Sequence, residues 1–262
     1  MIRKVYNLIP KIIRERIKLI YYNKRIKNYY FSIKEGRYWT KATEGWSIST
    51  LSPLYFIVKD IQRYERFYKV AEGNIVIDAG ANEGVLSLIY SKKVKKSGKV
   101  FSFEPDSINL KRFRANVKLN ENVSNIYVLE KALWNITDEI YFYEAGNVAS
   151  SVFPGKEKMK QKSISSITID DFVHSRNIEK LDFVKMDIEG AEIEALKGAV
   201  NSLAKFRPHL AIASYHFVEG EYTYKALETF FKKINYPFKT VFYEDGEIIT
   251  YAGINFQQQI EF

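Results

Sequence analysis

The stretch Asn74-Ile-Val-Ile-Asp-Ala-Gly-Ala-Asn-Glu-Gly84 constrains this chain more than any other segment. Ile75 to Asp78 form a short β-branched run that ends in a carboxylate, the pattern of a buried strand. A turn containing Gly80 and Gly84 follows, and Val85, Leu86, Leu88 and Ile89 then open a helical pattern. Strand, glycine turn and helix begin a nucleotide-binding α/β unit, because glycine lets backbone approach a ligand without a Cβ in the way. The spacing is not that of a dinucleotide site. G-x-G-x-x-G would need a glycine at 82, where Asn82 stands, and an acid precedes the turn. A carboxylate at Asp78 suits a ligand carrying an ammonium, such as S-adenosylmethionine (SAM), better than a pyrophosphate. An NAD-dependent oxidoreductase is therefore disfavoured.

Two further strand-to-acid junctions support this reading. Lys99-Val-Phe-Ser-Phe-Glu104 ends in an acid about 20 residues after the turn, where a carboxylate can take the two hydroxyls of a ribose. The bland alternative for Glu104 is a helix cap. Leu181-Asp-Phe-Val-Lys-Met-Asp187 is a third strand ending in a carboxylate, and Ile188 to Leu196 read as a helix start. Ligands in open α/β sheets bind at the carboxyl ends of strands, so Asp78, Glu104 and Asp187 should meet at one edge.

Ile77-Asp-Ala-Gly-Ala-Asn-Glu-Gly84, Phe103-Glu-Pro-Asp106 and Lys185-Met-Asp-Ile-Glu-Gly-Ala-Glu192 together resemble the FkbM family of SAM-dependent methyltransferases, from about Asn74 to about His216. The resemblance implies a class I methyltransferase fold and methyl transfer to a hydroxyl oxygen of a sugar, glycan or secondary metabolite. Asn82 fits this family's Gly-Ala-Asn-x-Gly habit, and asparagine tolerates left-handed backbone. The expected SAM residues are Asp78, Gly80, Ala81, Asn82, Gly84 and Glu104, with Ala132 beyond the third strand. SAM is an intracellular cofactor, which makes the cytoplasm the expected compartment.

The fifth strand, His209 to Tyr215, runs into His216 at the same edge, which places an imidazole where substrate approaches. His216 and Asp187 are the expected catalytic pair, His216 as base for the hydroxyl proton. For Asp187 a cofactor contact, a substrate contact, a metal and a helix cap all remain open. His216 could also be a loop or supporting residue. Glu189 and Glu192 sit where a helix start favours acids. A divalent metal such as magnesium, held by Asp187, His216 and one of these glutamates, is chemically feasible, but the spacing does not call for it. His209 reads as structural, and His174 has no motif around it.

The chain has no cysteine, which excludes disulfides, thiolate zinc sites, cysteine-dependent cytosine methylation and radical SAM chemistry. The net charge of +9 lies entirely in residues 1–34, which hold ten Lys and Arg against Glu15 alone. The rest is balanced, which argues against a nucleic-acid groove there. In the arm, Ile2, Val5, Ile9, Ile12, Ile13, Ile17 and Ile20 recur at helical spacing, with a break expected at Pro10. Peripheral contact with an anionic membrane, packing on the domain or self-association, and nucleic-acid binding stay open for it.

The expected organisation is a basic amphipathic arm over 1–34, a lead-in over 35–71 that is irregular to 54 and then helical, and a methyltransferase domain over 72–262. The expected fold is a Rossmann-like α/β sheet, mostly parallel, with an antiparallel edge strand and a C-terminal hairpin. Core strands are predicted near 75–79, 99–104, 126–130, 182–187 and 209–215, and helices near 84–95, 107–119, 190–204 and 221–234. Extra strands are predicted at Glu139–Tyr143 and Ser163–Ile169, with a basic loop at Lys156–Lys162 between them. Residues 35–54, 139–169 and the hairpin are expected to shape the acceptor pocket. A non-catalytic scaffold with this fold, docked on membrane glycan machinery, is the alternative; SAM binding discriminates the two.

Overall fold

The computed structural model describes residues 10–144 and 160–253. The first helix, Lys11–Arg25 (α1), begins after Pro10, whose fixed φ suits a helix start. Three antiparallel strands follow: Tyr29–Lys34 (β1), Arg37–Ala42 (β2) and Ser47–Thr50 (β3). This sheet corrects two expectations. Residues 35–54 are not mainly irregular, and the arm does not end as a separate unit at 34, since β1 pairs with β2. Glu35 (φ 51°) and Gly36 (φ 73°) make the tight left-handed turn that joins β1 to β2. A short 3-10 turn at Leu54–Phe56 leads into Val58–Tyr64 (α2).

The α/β alternation then begins: Ile75–Ala79 (β4), Val85–Val94 (α3), Lys99–Phe103 (β5), Ser107–Lys118 (α4) and Ile126–Leu129 (β6). Ala132–Leu133 (β7), Glu139–Glu144 (β8) and Lys160–Ile167 (β9) form a small side sheet, followed by Ile169–Ser175 (α5). Of the loop expected at Lys156–Lys162, residues 156–159 lie outside the described residues and β9 takes up the rest. The chain returns through Phe183–Met186 (β10), Glu192–Lys197 (α6), Val200–Phe206 (α7) and His209–Ala213 (β11). The single helix expected over 190–204 is thus two. The break falls at Gly198, whose carbonyl accepts from the Asp170 N–H and whose missing Cβ would meet Trp134 O at 2.4 Å. A two-residue ladder, Phe217–Val218 (β12) and Glu221–Tyr222 (β13), precedes Thr223–Lys233 (α8). The hairpin strands Phe238–Phe242 (β14) and Ile248–Ala252 (β15) end the described chain.

The central sheet has seven strands in the order β14-β15-β11-β10-β4-β5-β6. The five from β6 to β11 are parallel, as crossovers of this length require. The antiparallel strand is β15, and it lies between β11 and β14 rather than at the edge. Composition explains this correction. Ile248-Ile-Thr-Tyr-Ala252 is buried throughout and suits an interior position, whereas Phe238-Lys-Thr-Val-Phe242 alternates and leaves Lys239 and Phe242 exposed. The chain reverses direction across the sheet between β4 and β10, so a crevice opens beyond their carboxyl ends.

Both sheet faces are covered. Phe101, Phe103, Phe172, Met186, Leu203 and Phe231 belong to one core, and Val76, Tyr90, Val100, Phe183 and Tyr251 to the other. α1 packs by Leu19, Tyr22 and Ile26 on a third cluster around Tyr55, Ile48 and Leu88. Of the isoleucine stripe, Ile2, Val5 and Ile9 lie outside the described residues, and Ile13, Ile17 and Ile20 face away, 46%, 48% and 60% exposed.

Candidate active site

The glycine turn is shaped by close packing. Gly80 has φ 72°, and a Cβ there would stand 1.8 Å from the Asp187 carbonyl oxygen. Gly84 has φ 74°, and its Cβ would run into the Phe113 ring at 2.1 Å. Between them Asn82 takes φ 49°, as expected for a non-glycine residue that tolerates left-handed backbone. The turn therefore lies flat on β10 and α4, with its outer side bare.

Asp78 does not sit where a cofactor ammonium could reach it. Its carboxylate is fully buried, Oδ2 accepting from Ser87 Oγ at 2.6 Å and Oδ1 lying 3.2 Å from Lys185 Nζ. Lys185 also donates to the carbonyls of Ala79 (3.1 Å) and Gly80 (2.7 Å). The expected ammonium contact at Asp78 is thus replaced by a structural one: the acid anchors a lysine that clamps the turn. Gly84 likewise serves packing and does not line the cavity. Lys185 was missed in the sequence, although a lysine inside the apolar run Phe183-Val-Lys-Met186 signals a buried cation that needs an acid.

A cavity of about 510 Å³ opens over the turn, and Gly80, Ala81, Asn82, Glu104, Ala132 and Asp187 all line it. Ser52, Phe142, Glu247 and Ile249 join them, so each segment expected to shape the pocket contributes. Glu104 accepts from Asn82 N–H at 2.7 Å and Asp106 N–H at 2.9 Å. Burial nonetheless pushes its carboxyl up to about 7, against the lowering by these N–H donors. Lone-pair capacity remains on Oε2, since it receives one donor. Asp106, not Glu104, caps α4, accepting from Ile108 N–H and Asn109 N–H.

The other end of the cavity is acidic, with Asp60, Asp187, Glu189 and Glu247 in its wall. Asp187 Oδ2 accepts from the buried Tyr64 hydroxyl at 3.0 Å. His216 lies behind this wall, its side chain 6% exposed, with Nε2 3.5 Å from both Asp187 Oδ1 and Glu189 Oε2. Nδ1 is 3.1 Å from Glu192 Oε1, a close but bent contact. Glu192 is itself held by the N–H groups of Ile188 and Gly190. Burial works to lower the His216 pKa, but Glu192, Asp187 and Glu189 together carry it up to about 9. Burial pushes the Glu189 carboxyl up to about 7. With no cation beside it, the carboxylates favour the protonated imidazole, which weighs against His216 as a ready general base. His209 stacks on Tyr68, in keeping with a structural role, and His174 lies in the last turn of α5.

The family described as "Methyltransferase FkbM domain" matches residues 78–238. This chain belongs to the FkbM family of SAM-dependent methyltransferases. It is 25% identical over 177 residues to the methyltransferase sdnD of Sordaria araneosa, covering 55% of this chain and 68% of that one. It is 30% identical over 135 residues to the hexuronic acid methyltransferase AglP of Haloferax volcanii, covering 50% and 52%. The crystal structure of the FkbM methyltransferase of Methylobacillus flagellatus superposes with a TM-score of 0.55 at 24% identity, over 73% of this chain and 47% of that one, a likeness of fold. The chain thus spans about half the length of the Haloferax and Methylobacillus proteins.

The clamp gives a direct test. Lys185→Met strands the buried Asp78 charge and should cost about 3–5 kcal/mol in urea unfolding, the scale for breaking a buried pair. Adding Asp78→Asn should recover part of that loss. A Lys185→Met protein within about 1 kcal/mol of the parent would show that the pair does not hold the turn.

Proposed function

We infer that the protein transfers the methyl group of SAM to a hydroxyl oxygen of a sugar or glycan. The observation that carries this reading is one cavity whose wall has two chemically distinct parts: a glycine turn beside a buried, hydrogen-bonded Glu104, and an acidic, tyrosine-edged stretch at Asp187. The first part suits the ribose and adenosine of SAM, and the second suits a hydroxylated acceptor. Family membership and the likeness to a hexuronic acid methyltransferase support a sugar. In the transfer, an acceptor oxygen lone pair attacks the methyl carbon. The C–O bond forms as the C–S bond breaks, both electrons go to sulfur, and S-adenosylhomocysteine leaves. The hydroxyl proton passes to Asp187, which Tyr64 and His216 hold in place. Alignment of oxygen, carbon and sulfur supplies much of the rate. Asp187→Asn or His216→Ala should lower turnover by roughly 10²–10⁴-fold, with SAM affinity little changed. Incubation with methyl-labelled SAM and a panel of nucleotide sugars and oligosaccharides tests the reading. Label should appear on oxygen of a sugar; SAM binding without transfer to any sugar would overturn the sugar acceptor, and no SAM binding would favour a scaffold.

The ribose contact makes SAM affinity depend on pH. Hydroxyls donate to the ionised Glu104, whose pKa without ligand is about 7. Binding should therefore strengthen from pH 6 to 8, with proton release, and level off above. In Glu104→Gln the slope should vanish, and Glu104→Ala should bind SAM more weakly by about 1.5–3 kcal/mol. The same shift has the opposite sign for the folded protein alone. Between about 4.5 and 7 the folded state holds a proton that the unfolded chain has lost, so this group's contribution to stability falls as pH rises. Equal pH slopes in parent and Glu104→Gln would remove Glu104 from the ribose.

The acceptor is further proposed to be presented at a membrane, as a lipid-linked sugar would be. Ile13, Ile17, Ile20 and Tyr21 form one exposed face of α1, Lys24 falls on the same face at 100° per residue, and Arg16 and Arg25 flank it. A second cavity, about 660 Å³, is lined by Tyr21, Arg25, Phe56 and Lys59 and shares Asp60 and Glu247 with the first. It offers a route from that face to the site. Among the described residues no helix is long and apolar enough to cross a membrane, so the contact would be peripheral. Each basic residue near an anionic surface contributes about 1 kcal/mol, screened by salt. The full chain should co-sediment with phosphatidylserine vesicles at low salt and release as salt rises. Ile17→Glu/Ile20→Glu should abolish sedimentation without altering SAM binding. Failure of the full chain to bind at low salt would leave self-association as the use of this face.

A further inference from the structure

We propose that Asp187, Glu189 and His216 form a divalent cation site at the acceptor end of the cavity, with Glu192 as its supporting carboxylate. One oxygen from each acid and one imidazole nitrogen lie within 4.8 Å of one another. His216 Nε2 stands 3.5 Å from both Asp187 Oδ1 and Glu189 Oε2. Ligands about 2.0–2.1 Å from one small cation stand roughly 2.8–3.0 Å apart in octahedral geometry and roughly 3.3–3.4 Å apart in tetrahedral geometry. The two histidine separations are close to that, and carboxylate rotation would bring in the acids, which lie within 4.8 Å of one another.

Two independent observations point to a ligand here. His216 is more than nine-tenths buried, yet Nε2 has no hydrogen-bond partner and is aimed between the two acids, and Asp187 Oδ1 is likewise buried without one. Glu192 Oε1 stands 3.1 Å from Nδ1, where a slight turn of the ring would let the carboxylate take that N–H and present Nε2 to a cation, the arrangement that orients metal-binding histidines. Glu189 also holds a left-handed backbone (φ 55°) that a glutamate adopts only at a cost, and that turn carries its carboxylate to His216. Lys185, a buried cation at the same strand ends, is held by Asp78 and two carbonyls and acts on Glu189 only as the smallest of the charges that face it. One nitrogen and two carboxylate oxygens suit Mn2+ or Zn2+ better than Ca2+. Asp187 and Glu189 line the cavity, so the remaining coordination positions face it, where neighbouring hydroxyls of a sugar can replace water. This use rests on the sugar reading above; the site itself does not.

Titration of the full chain with Mn2+, followed by EPR and calorimetry at pH 7.5, tests the proposal. One equivalent should bind, with nitrogen hyperfine coupling from the imidazole. Glu189→Gln and Asp187→Asn should each weaken binding at least tenfold, and His216→Ala should abolish the nitrogen coupling. Circular dichroism and SAM binding report whether each variant is folded. Zn2+ should compete for the same equivalent. No binding of Mn2+ or Zn2+ to folded protein at millimolar metal overturns the site, as does binding that all three variants retain. A protein that methylates sugar but binds no metal refutes this inference alone. One that binds metal but not SAM refutes the methyl-transfer reading alone.

Discussion

The geometry of the site depends on one buried ion pair. Asp78 at the end of β4 and Lys185 within β10 meet at 3.2 Å, and the lysine spends its other donors on the carbonyls of Ala79 and Gly80. The Ala79 carbonyl also accepts from the Asp187 N–H, and the Gly80 carbonyl lies one residue past the strand, so the lysine ties the last ladder residue to the first residue of the turn. With the turn tied down, Gly80 rests on the Asp187 carbonyl and the Asn82 N–H reaches Glu104. The three strand ends are thereby coupled.

The acidic wall at Asp187 poses the opposite problem. Carboxylates gathered in a partly buried wall repel one another, and burial penalises each, which is why Asp60 and Glu247 as well as Glu189 lie above the usual carboxylate range. Such a cluster is stable when positive charge enters it, as a proton on His216, a cation, or the sulfonium of SAM. A bare acid is poorly received here unless a cation accompanies it, and neutral hydroxyls, which donate to carboxylates, fit readily. Strain at Glu189 and buried unpaired atoms at His216 and Asp187 concentrate where chemistry would occur.

Much of this was legible in the sequence because the α/β core obeys local rules. β-branched runs ending in an acid gave β4, β5 and β10 nearly to the residue, and the three motifs identified the family. What was not legible depended on side-chain direction. Asp78 and Glu104 both follow apolar runs, yet one points into the sheet toward Lys185 and the other into the cavity. The isoleucines of α1 look like a packing face, but Leu19, Tyr22 and Ile26 make the contact instead. Small turns were overlooked where they were visible, as at Glu35-Gly36. The position of β15 inside the sheet follows from tertiary burial on both faces, which a hairpin signal alone does not convey.

The central claim is that one cavity holds SAM with its ribose on Glu104 and its methyl directed at the Asp187 wall. A crystal structure with S-adenosylhomocysteine tests it most directly. The account predicts ribose hydroxyls within hydrogen-bond distance of Glu104, backbone of the 80–82 turn against the ligand, Asp78 still bound to Lys185, and sulfur facing Asp187. Ligand bound away from Glu104, or Asp78 swung out to meet the ammonium, would contradict it.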